Sequence, residues 1–365
     1  MKNNPFKFGS IVDEPYFTNR KDVISKVISI LNSNNHLTII SPRRYGKSSL
    51  IFKVVKSLSR PVISLDMQLI TSTEDLAAQL LKRIYRVFPF EKITKFVQHF
   101  RVIPTITVNP VNNEVNIEFQ TTNSGLPILE DVLNLIEKLS SQQKKVIVIF
   151  DEFQEVRYIN INLFRQLRAI MQHHKNINYI FLGSQESLIR DIFEKKKSPF
   201  YHFSMLLPLG KIPLADFESY LIKGFEQITD KYQDIISKII AFTNCHPYYT
   251  QQLAYEVWNM IAFNKILNNV AESAINQLIH IHDLDYEHLW NAFNKTDKKL
   301  LIGLSLSNYS PLTEKFNRNY NIGATSTAFS SVKRLMRSGY ITRVNSNYEI
   351  DDPFFSLWIK QRRER

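Results

Sequence analysis

Ser41-Pro42-Arg43-Arg44-Tyr45-Gly46-Lys47-Ser48-Ser49 lies between two stretches of different periodicity. Before it, Leu37 to Ile40 is a short apolar run with the character of a buried strand. After it, Leu50, Ile51, Val54, Val55 and Leu58 recur at helical spacing. Strand, loop and helix in that order are the setting of a phosphate-binding loop. Successive backbone N–H groups wrap the phosphates, the helix N-terminus adds partial positive charge, a lysine reaches the outer phosphates and the following hydroxyl ligates Mg²⁺. The spacing predicts Lys47 on the phosphates and Ser48 on the metal, with Ser41 to Ser49 as the cradle. The usual pattern opens on glycine where this chain has Ser41, and keeps its second glycine, here Gly46, where backbone must approach phosphate.

Working outward, Pro61-Val62-Ile63-Ser64-Leu65 predicts a second strand and Glu74 to Phe88 a helix, a βαβα rhythm. Thr105 to Val108 and Val115 to Phe119 alternate at period two around Asn109-Pro110-Val111-Asn112-Asn113, which predicts a β-hairpin insertion at about residues 100–120. A helix is expected from Pro127 to Leu139. Five apolar residues, Val146 to Phe150, then run into Asp151-Glu152, a strand buried on both faces with acids at its C-terminal edge, where open α/β sheets bind ligands. A helix from Asn162 to His173 and a strand from Tyr179 to Leu182 follow, closing on Gly183-Ser184-Gln185. The last core strand is expected over Phe203 to Leu209. Helical patterns then cover Leu214–Phe225, Asp234–Phe242, Tyr249–Phe263 and Val270–His280. From about Tyr286 the plan changes. Short helices at Asp297–Leu306 and Pro311–Asn317, a longer one at Thr325–Arg337, and a hairpin of Tyr340–Val344 with Tyr348–Ile350 describe a winged helix.

The acids supply what the loop lacks. Hydrolysing a phosphoanhydride needs charge neutralisation and an oriented water. Asp151 is therefore the expected Mg²⁺ ligand with Ser48, and Glu152 the general base. Ser184, with Gln185 as the alternative, closes the neighbouring strand where a hydroxyl could meet the outer phosphate or the water.

Composition sets the frame. The 365 residues suit two or three domains, and 44% hydrophobic with 22% charged residues is globular rather than disordered. A single cysteine, Cys245, excludes an intrachain disulfide and suits a reducing cytoplasm. No run approaches the roughly 18 apolar residues of a membrane span, so no membrane partner is expected. A net charge of +12 favours polyanions such as nucleic acid, or is a solvated face.

At these residues the chain resembles the archaeal-type ATPases within the AAA+ and STAND branch of P-loop NTPases. The likeness runs through Phe8-Gly9-Ser10-Ile11-Val12, Tyr16-Phe17-Thr18-Asn19-Arg20, the loop itself, Asp151-Glu152-Phe153-Gln154-Glu155, Gly183-Ser184, His246-Pro247-Tyr248-Tyr249, and Tyr348 to Trp358. It implies an α/β P-loop NTPase of three layers with a parallel sheet over residues 1–212, an all-α lid over 213–284 and a winged helix over 285–365. It also implies ATP and Mg²⁺ as cofactors, with Lys47, Glu152 and Ser184 catalytic, Ser48 and Asp151 on the metal, Ser41 to Ser49 on the phosphates, and Ile11, Val12 and Pro247 toward adenine. Two departures stand out. Cys245 occupies the place of a family glycine, and Tyr201-His202-Phe203 lies where relatives often carry an arginine finger. Without that arginine slow hydrolysis is expected, which suits a switch. Arg43 and Arg44 are candidates for phosphate or interface contacts, or are simply exposed.

On the helix Thr325–Arg337, Phe329, Val332, Leu335 and Met336 are expected on the buried face, with Ser330, Lys333, Arg334 and Arg337 opposite. Duplex DNA contacted through Lys333, Arg334, Arg337 and Arg343 is one expectation. A winged helix serving as a latch, with signalling to a protein partner or self-assembly, is the other. A small-molecule kinase is disfavoured by the paired acids.

Overall fold

The computed structural model describes residues 3–18, 20–108, 115–119, 125–263, 268–307, 309–344 and 347–363. The chain forms two compact units: Lys21–Ser41 with Lys47–Leu209, and Met1–Arg20 with Pro42–Gly46 and Gly210–Arg365.

The first unit runs α1 (Lys21–Asn32), β1 (Leu37–Ile40), α2 (Lys47–Leu58), β2 (Val62–Asp66), α3 (Thr73–Val87), α4 (Phe90–Val97), β3 (Thr105–Val108), β4 (Val115–Glu118), α5 (Leu126–Leu139), β5 (Val146–Asp151), α6 (Val156–Ile159), α7 (Leu163–Met171), β6 (Ile177–Gly183), α8 (Glu186–Phe193) and β7 (Met205–Pro208). Among the described residues, β2-β5-β6-β1-β7 make one parallel sheet and β3-β4 an antiparallel hairpin. The turn expected at Asn109–Asn113 lies outside the described residues.

The sheet is the middle of three layers. Val148, Phe150, Tyr179 and Phe181 share a core with residues of α3, α5, α7 and α8. Their strand neighbours Ile147, Ile149, Ile180 and Leu182 point to the opposite face and are buried as well. β5 and β6 read as continuous apolar runs for this reason, whereas β2 exposes Ser64 between buried Ile63 and Leu65. One polar residue inside β6, Asn178, is fully buried and satisfied. Its amide donates to the carbonyls of Ser33 at 3.1 Å and Asn35 at 2.9 Å, and its oxygen accepts from Arg60.

Register aligns the functional edge. Ile40 pairs with Gly183 and Asp66 with Asp151, so the chain leaves the sheet at Ser41, Asp151 and Ser184 along one rim.

The second unit is helical, with α9 (Leu214–Phe225), α10 (Tyr232–Thr243), α11 (Pro247–Ala262), α12 (Val270–Ile281), α13 (Asp283–Ala292), α14 (Lys295–Leu306), α15 (Glu314–Asn319), α16 (Thr325–Arg337), the hairpin β8 (Ile341–Val344) and β9 (Asn347–Ile350), and α17 (Pro353–Arg363). The chain is thus a parallel α/β sheet domain followed by an all-α region and a winged helix. One apolar core in this unit runs from Phe6 and Phe217 through Trp258 to Phe316 and Trp358. Phe6 seats so closely on α9 that a Cβ at Gly224 would lie 2.3 Å from its ring, which makes glycine a packing requirement there.

Candidate nucleotide site

The loop between β1 and α2 turns left-handed twice, at Arg44 (φ 66°) and Gly46 (φ 82°), and not at Ser41. That accounts for the sequence: glycine's freedom is used at Gly46, while the first position takes any small residue. Ser41 is buried. Its N–H donates to the Gly183 carbonyl at 3.4 Å, and its own carbonyl accepts from the Lys47 ammonium at 3.1 Å. Left-handed turns of this kind point consecutive N–H groups into one concavity ahead of a helix N-terminus, an anion nest.

Opposite stand the acids. The Ser48 hydroxyl donates to Asp151 Oδ2 at 3.2 Å, and the Glu152 N–H to Asp151 Oδ1 at 2.9 Å. Burial, and next the Glu152 charge, push the Asp151 carboxyl up from its ordinary value, with Lys47 and Ser48 offsetting part of the rise. An anion held against its preference is one that gains from a cation. The donor set also fits Mg²⁺. Ser48 and Asp151 offer hard oxygens, and among the described residues no three His, Cys, Asp or Glu side chains gather into a cage. An ion here would take the rest of its shell from phosphate and water, the usual habit of Mg²⁺. When bound, Mg²⁺ neutralises charge on the phosphate oxygens.

Glu152 sits at φ 51°, an uncommon backbone for a non-glycine residue. Packing of Phe153 behind it pins the turn: Phe153 is fully buried with its ring centroid 4.5 Å from Phe181. The Glu152 carboxylate accepts from the Ser184 hydroxyl at 2.6 Å and from the Ser184 N–H at 3.3 Å. Ser41, Lys47, Ser48, Asp151, Glu152 and Ser184 therefore come together at one rim.

The tip of the loop, Pro42–Gly46, groups with the helical unit. There Arg44 Nη1 donates to the Tyr249 hydroxyl at 2.9 Å, and its guanidinium lies 4.7 Å from the centre of the Tyr248 ring. The Tyr45 hydroxyl donates to Asp351 at 3.3 Å, its ring meets His246 edge-on at 4.7 Å, and its carbonyl accepts from Arg20 at 3.1 Å. Pro247 opens α11 behind His246, whose Nδ1 accepts from the N–H groups of Tyr248 and Tyr249 at 3.2 and 3.4 Å. Cys245 precedes it with φ 56°, the left-handed backbone for which glycine is better suited. Arg43 and Ile11 are exposed and Val12 is half-buried.

A family model described as "ATPase domain predominantly from Archaea" matches residues 17–253, well over half of the chain. The chain belongs to this family. A second model, "Probable winged helix domain", matches residues 284–361. Among solved structures, a Walker-type ATPase of Pyrococcus abyssi is similar at 18% identity and TM-score 0.70, covering 98% of this chain and 99% of that one. The ORC2 protein of Aeropyrum pernix, solved with ADPNP and ADP, is similar at 14% identity and TM-score 0.56, covering 97% and 96%. The ORC1 protein of the same organism, solved with DNA, is similar at 11% identity and TM-score 0.50, covering 93% and 91%. At these identities the likeness shows the fold alone. No curated protein matches the sequence. Among the described residues no helix is long and apolar enough to cross a membrane.

In this ATPase the winged helix corrects two expectations. Phe329 is 56% exposed rather than buried, because α16 turns Ala328, Ser331, Val332 and Leu335 inward, a stripe that leaves Phe329 beside Lys333. Arg334 does not stand ready for phosphate. Its Nε and Nη2 donate to both oxygens of buried Asp297, at 2.8 and 2.7 Å. Lys333, Arg337 and Arg343 are exposed. Sequence reading missed the partners of the loop tip, Tyr249 and Asp351. The adjacent acids at the end of the wing, with no role of their own, were the available signal.

Proposed function

We propose that this P-loop ATPase is a slow, Mg²⁺-dependent ATP hydrolase of the AAA+/STAND kind that works as a nucleotide-driven switch. In this reading residues 1–212 form the ATPase part, 213–284 the lid and 285–365 the winged helix. Lys47 and the N–H groups from Ser41 to Ser49 hold the phosphates, Ser48 and Asp151 hold Mg²⁺, Glu152 takes the water proton, and Ser184 senses the outer phosphate. Ile11, Val12 and Pro247 lie toward the adenine.

One observation carries the switch. Arg44 and Tyr45, in the middle of the stretch that would wrap the phosphates, are bonded to Tyr249 at the start of α11 and to Asp351 at the end of the wing. Phosphate is a competing partner for Arg44, since a guanidinium binds phosphate oxygens bidentately. Nucleotide occupancy would then be read as a change in what Arg44 holds. With Arg44 committed in this way, no arginine finger is assigned, which favours slow turnover.

A second reading rests on Lys333, Arg337 and Arg343, which leave a basic face on the winged helix, and on the likeness to a protein solved with DNA. ATP would then gate duplex DNA binding. ATPase turnover with and without duplex DNA, alongside sizing with ATP and Mg²⁺, separates the two. Nucleotide-dependent assembly without DNA stimulation supports the switch. DNA-stimulated turnover, with affinity falling steeply as salt rises, supports the second. Turnover unchanged in Glu152→Gln, where a loss of about 100-fold is expected, would remove the hydrolase assignment.

A further inference from the structure

Gln154 is fully buried yet polar, and it lies two residues past Glu152 in the short 3-10 turn Phe153–Glu155. Its Nε2 donates to Glu152 Oε2, the same oxygen that accepts from the hydroxyl and N–H of Ser184. Its Oε1 is buried without a hydrogen-bond partner among the described residues. That oxygen lies against the end of β6, where a Cβ added to Gly183 would be 2.8 Å away.

The orientation of this amide follows from charge. Turned the other way, the carbonyl would face a carboxylate and the NH₂ would face the backbone of Gly183. A buried amide with one unsatisfied atom costs stability. A leucine would fill the site without that cost. The residue therefore does something that packing does not require.

We propose that Gln154 is a positioning residue for hydrolysis: its amide and Ser184 clamp one oxygen of the Glu152 carboxylate, fixing its rotamer so that the other oxygen, Oε1, faces the attacking water. The proposal rests on Glu152 being the base. A carboxylate held from behind by two side chains stays within the narrow geometry that a proton transfer demands. Three donors on Oε2 leave Oε1 as the oxygen that takes the water proton. The oxygen receiving the proton is thus separate from the one holding the side chain in place.

Gln154→Leu, of similar volume and without the donor, is expected to lower kcat for ATP about 10- to 100-fold while KM and nucleotide affinity stay within about twofold. Ser184→Ala acts on the same oxygen, so the double variant should lose less than the product of the two single losses. If Gln154→Leu folds poorly, Gln154→Asn, which keeps the amide but shortens its reach, is read in the same assay and should show the same loss of kcat at constant KM. Unchanged kcat in a folded Gln154 variant overturns the proposal. So does a loss of nucleotide affinity that accounts for the whole effect, and so does strict multiplicativity with Ser184→Ala. Glu152→Gln is measured beside them: wild-type turnover there would overturn the base itself, whereas an inactive Glu152→Gln with an active Gln154→Leu overturns only the role of Gln154.

Discussion

At Asp151 the chain keeps a carboxylate where water would not choose to leave one. Burial and the neighbouring Glu152 raise it from the ordinary value, so it takes up a proton at higher pH than a free aspartate. The sign of the pH dependence follows. Acidification protonates Asp151 earlier than a free aspartate, so Mg²⁺-nucleotide affinity should fall as pH drops toward the carboxylate range, with proton release on binding at the acid end. Calorimetry in buffers of different ionisation enthalpy measures that release. Asp151→Asn should abolish both the release and the slope, and an unchanged slope in that variant would remove Asp151 from the metal.

At the scale of elements, the same physics explains what could be read in the sequence and what could not. β1, α9 and α16 have the bounds the sequence predicts, because each is a regular run between turn residues, although α16 buries a different stripe from the expected one. α13 buries only Tyr286 and Trp290, too sparse a stripe to stand out, and α4, at eight residues, is barely two turns. The site divides in a similar way. Lys47, Ser48, Asp151, Glu152 and Ser184 were legible because strand ends must converge on one rim, whereas the bond from Arg44 to Tyr249 spans 205 positions and nothing local encodes it. α16 adds a lesson about charge. Arg334 looks like a cation for phosphate on a helical wheel, but with Ser331 it clamps Asp297 of α14. Asp297→Ala leaves Ser331 buried and unpaired while the half-exposed guanidinium turns to water, a loss of about 1–3 kcal/mol by urea denaturation. A loss of a few tenths would show that the clamp is ornamental.

For the whole molecule, the decisive property is that five residues of a phosphate loop, Pro42–Gly46, belong to the unit that holds α11, the wing and α17. Asp352 deepens the arrangement. It is half-buried and accepts from Tyr286 at 3.1 Å and from the Phe354 and Phe355 N–H groups; desolvation pushes its carboxyl up from the ordinary value, and those donors and then the charge of Arg44 offset part of the rise. If occupancy is read through Arg44, ATP should alter amide hydrogen exchange around residues 246–249 and 351–355, and Tyr249→Phe should blunt that response by severalfold while leaving the Ser48 and Asp151 contacts alone. Exchange in those segments that ignores ATP in the wild-type chain would argue against any relay through the loop tip.

Phe6 is buried against Tyr220 and Phe225, and the Asn4 amide is bonded to the Tyr255 carbonyl and to Asn259. During synthesis these early residues leave the ribosome long before their partners exist, whereas everything in Lys21–Leu209 can find its own sheet first. The contact between the Asn4 amide and the Tyr255 carbonyl spans 251 positions, so it is among the long-range contacts whose loop closure slows folding.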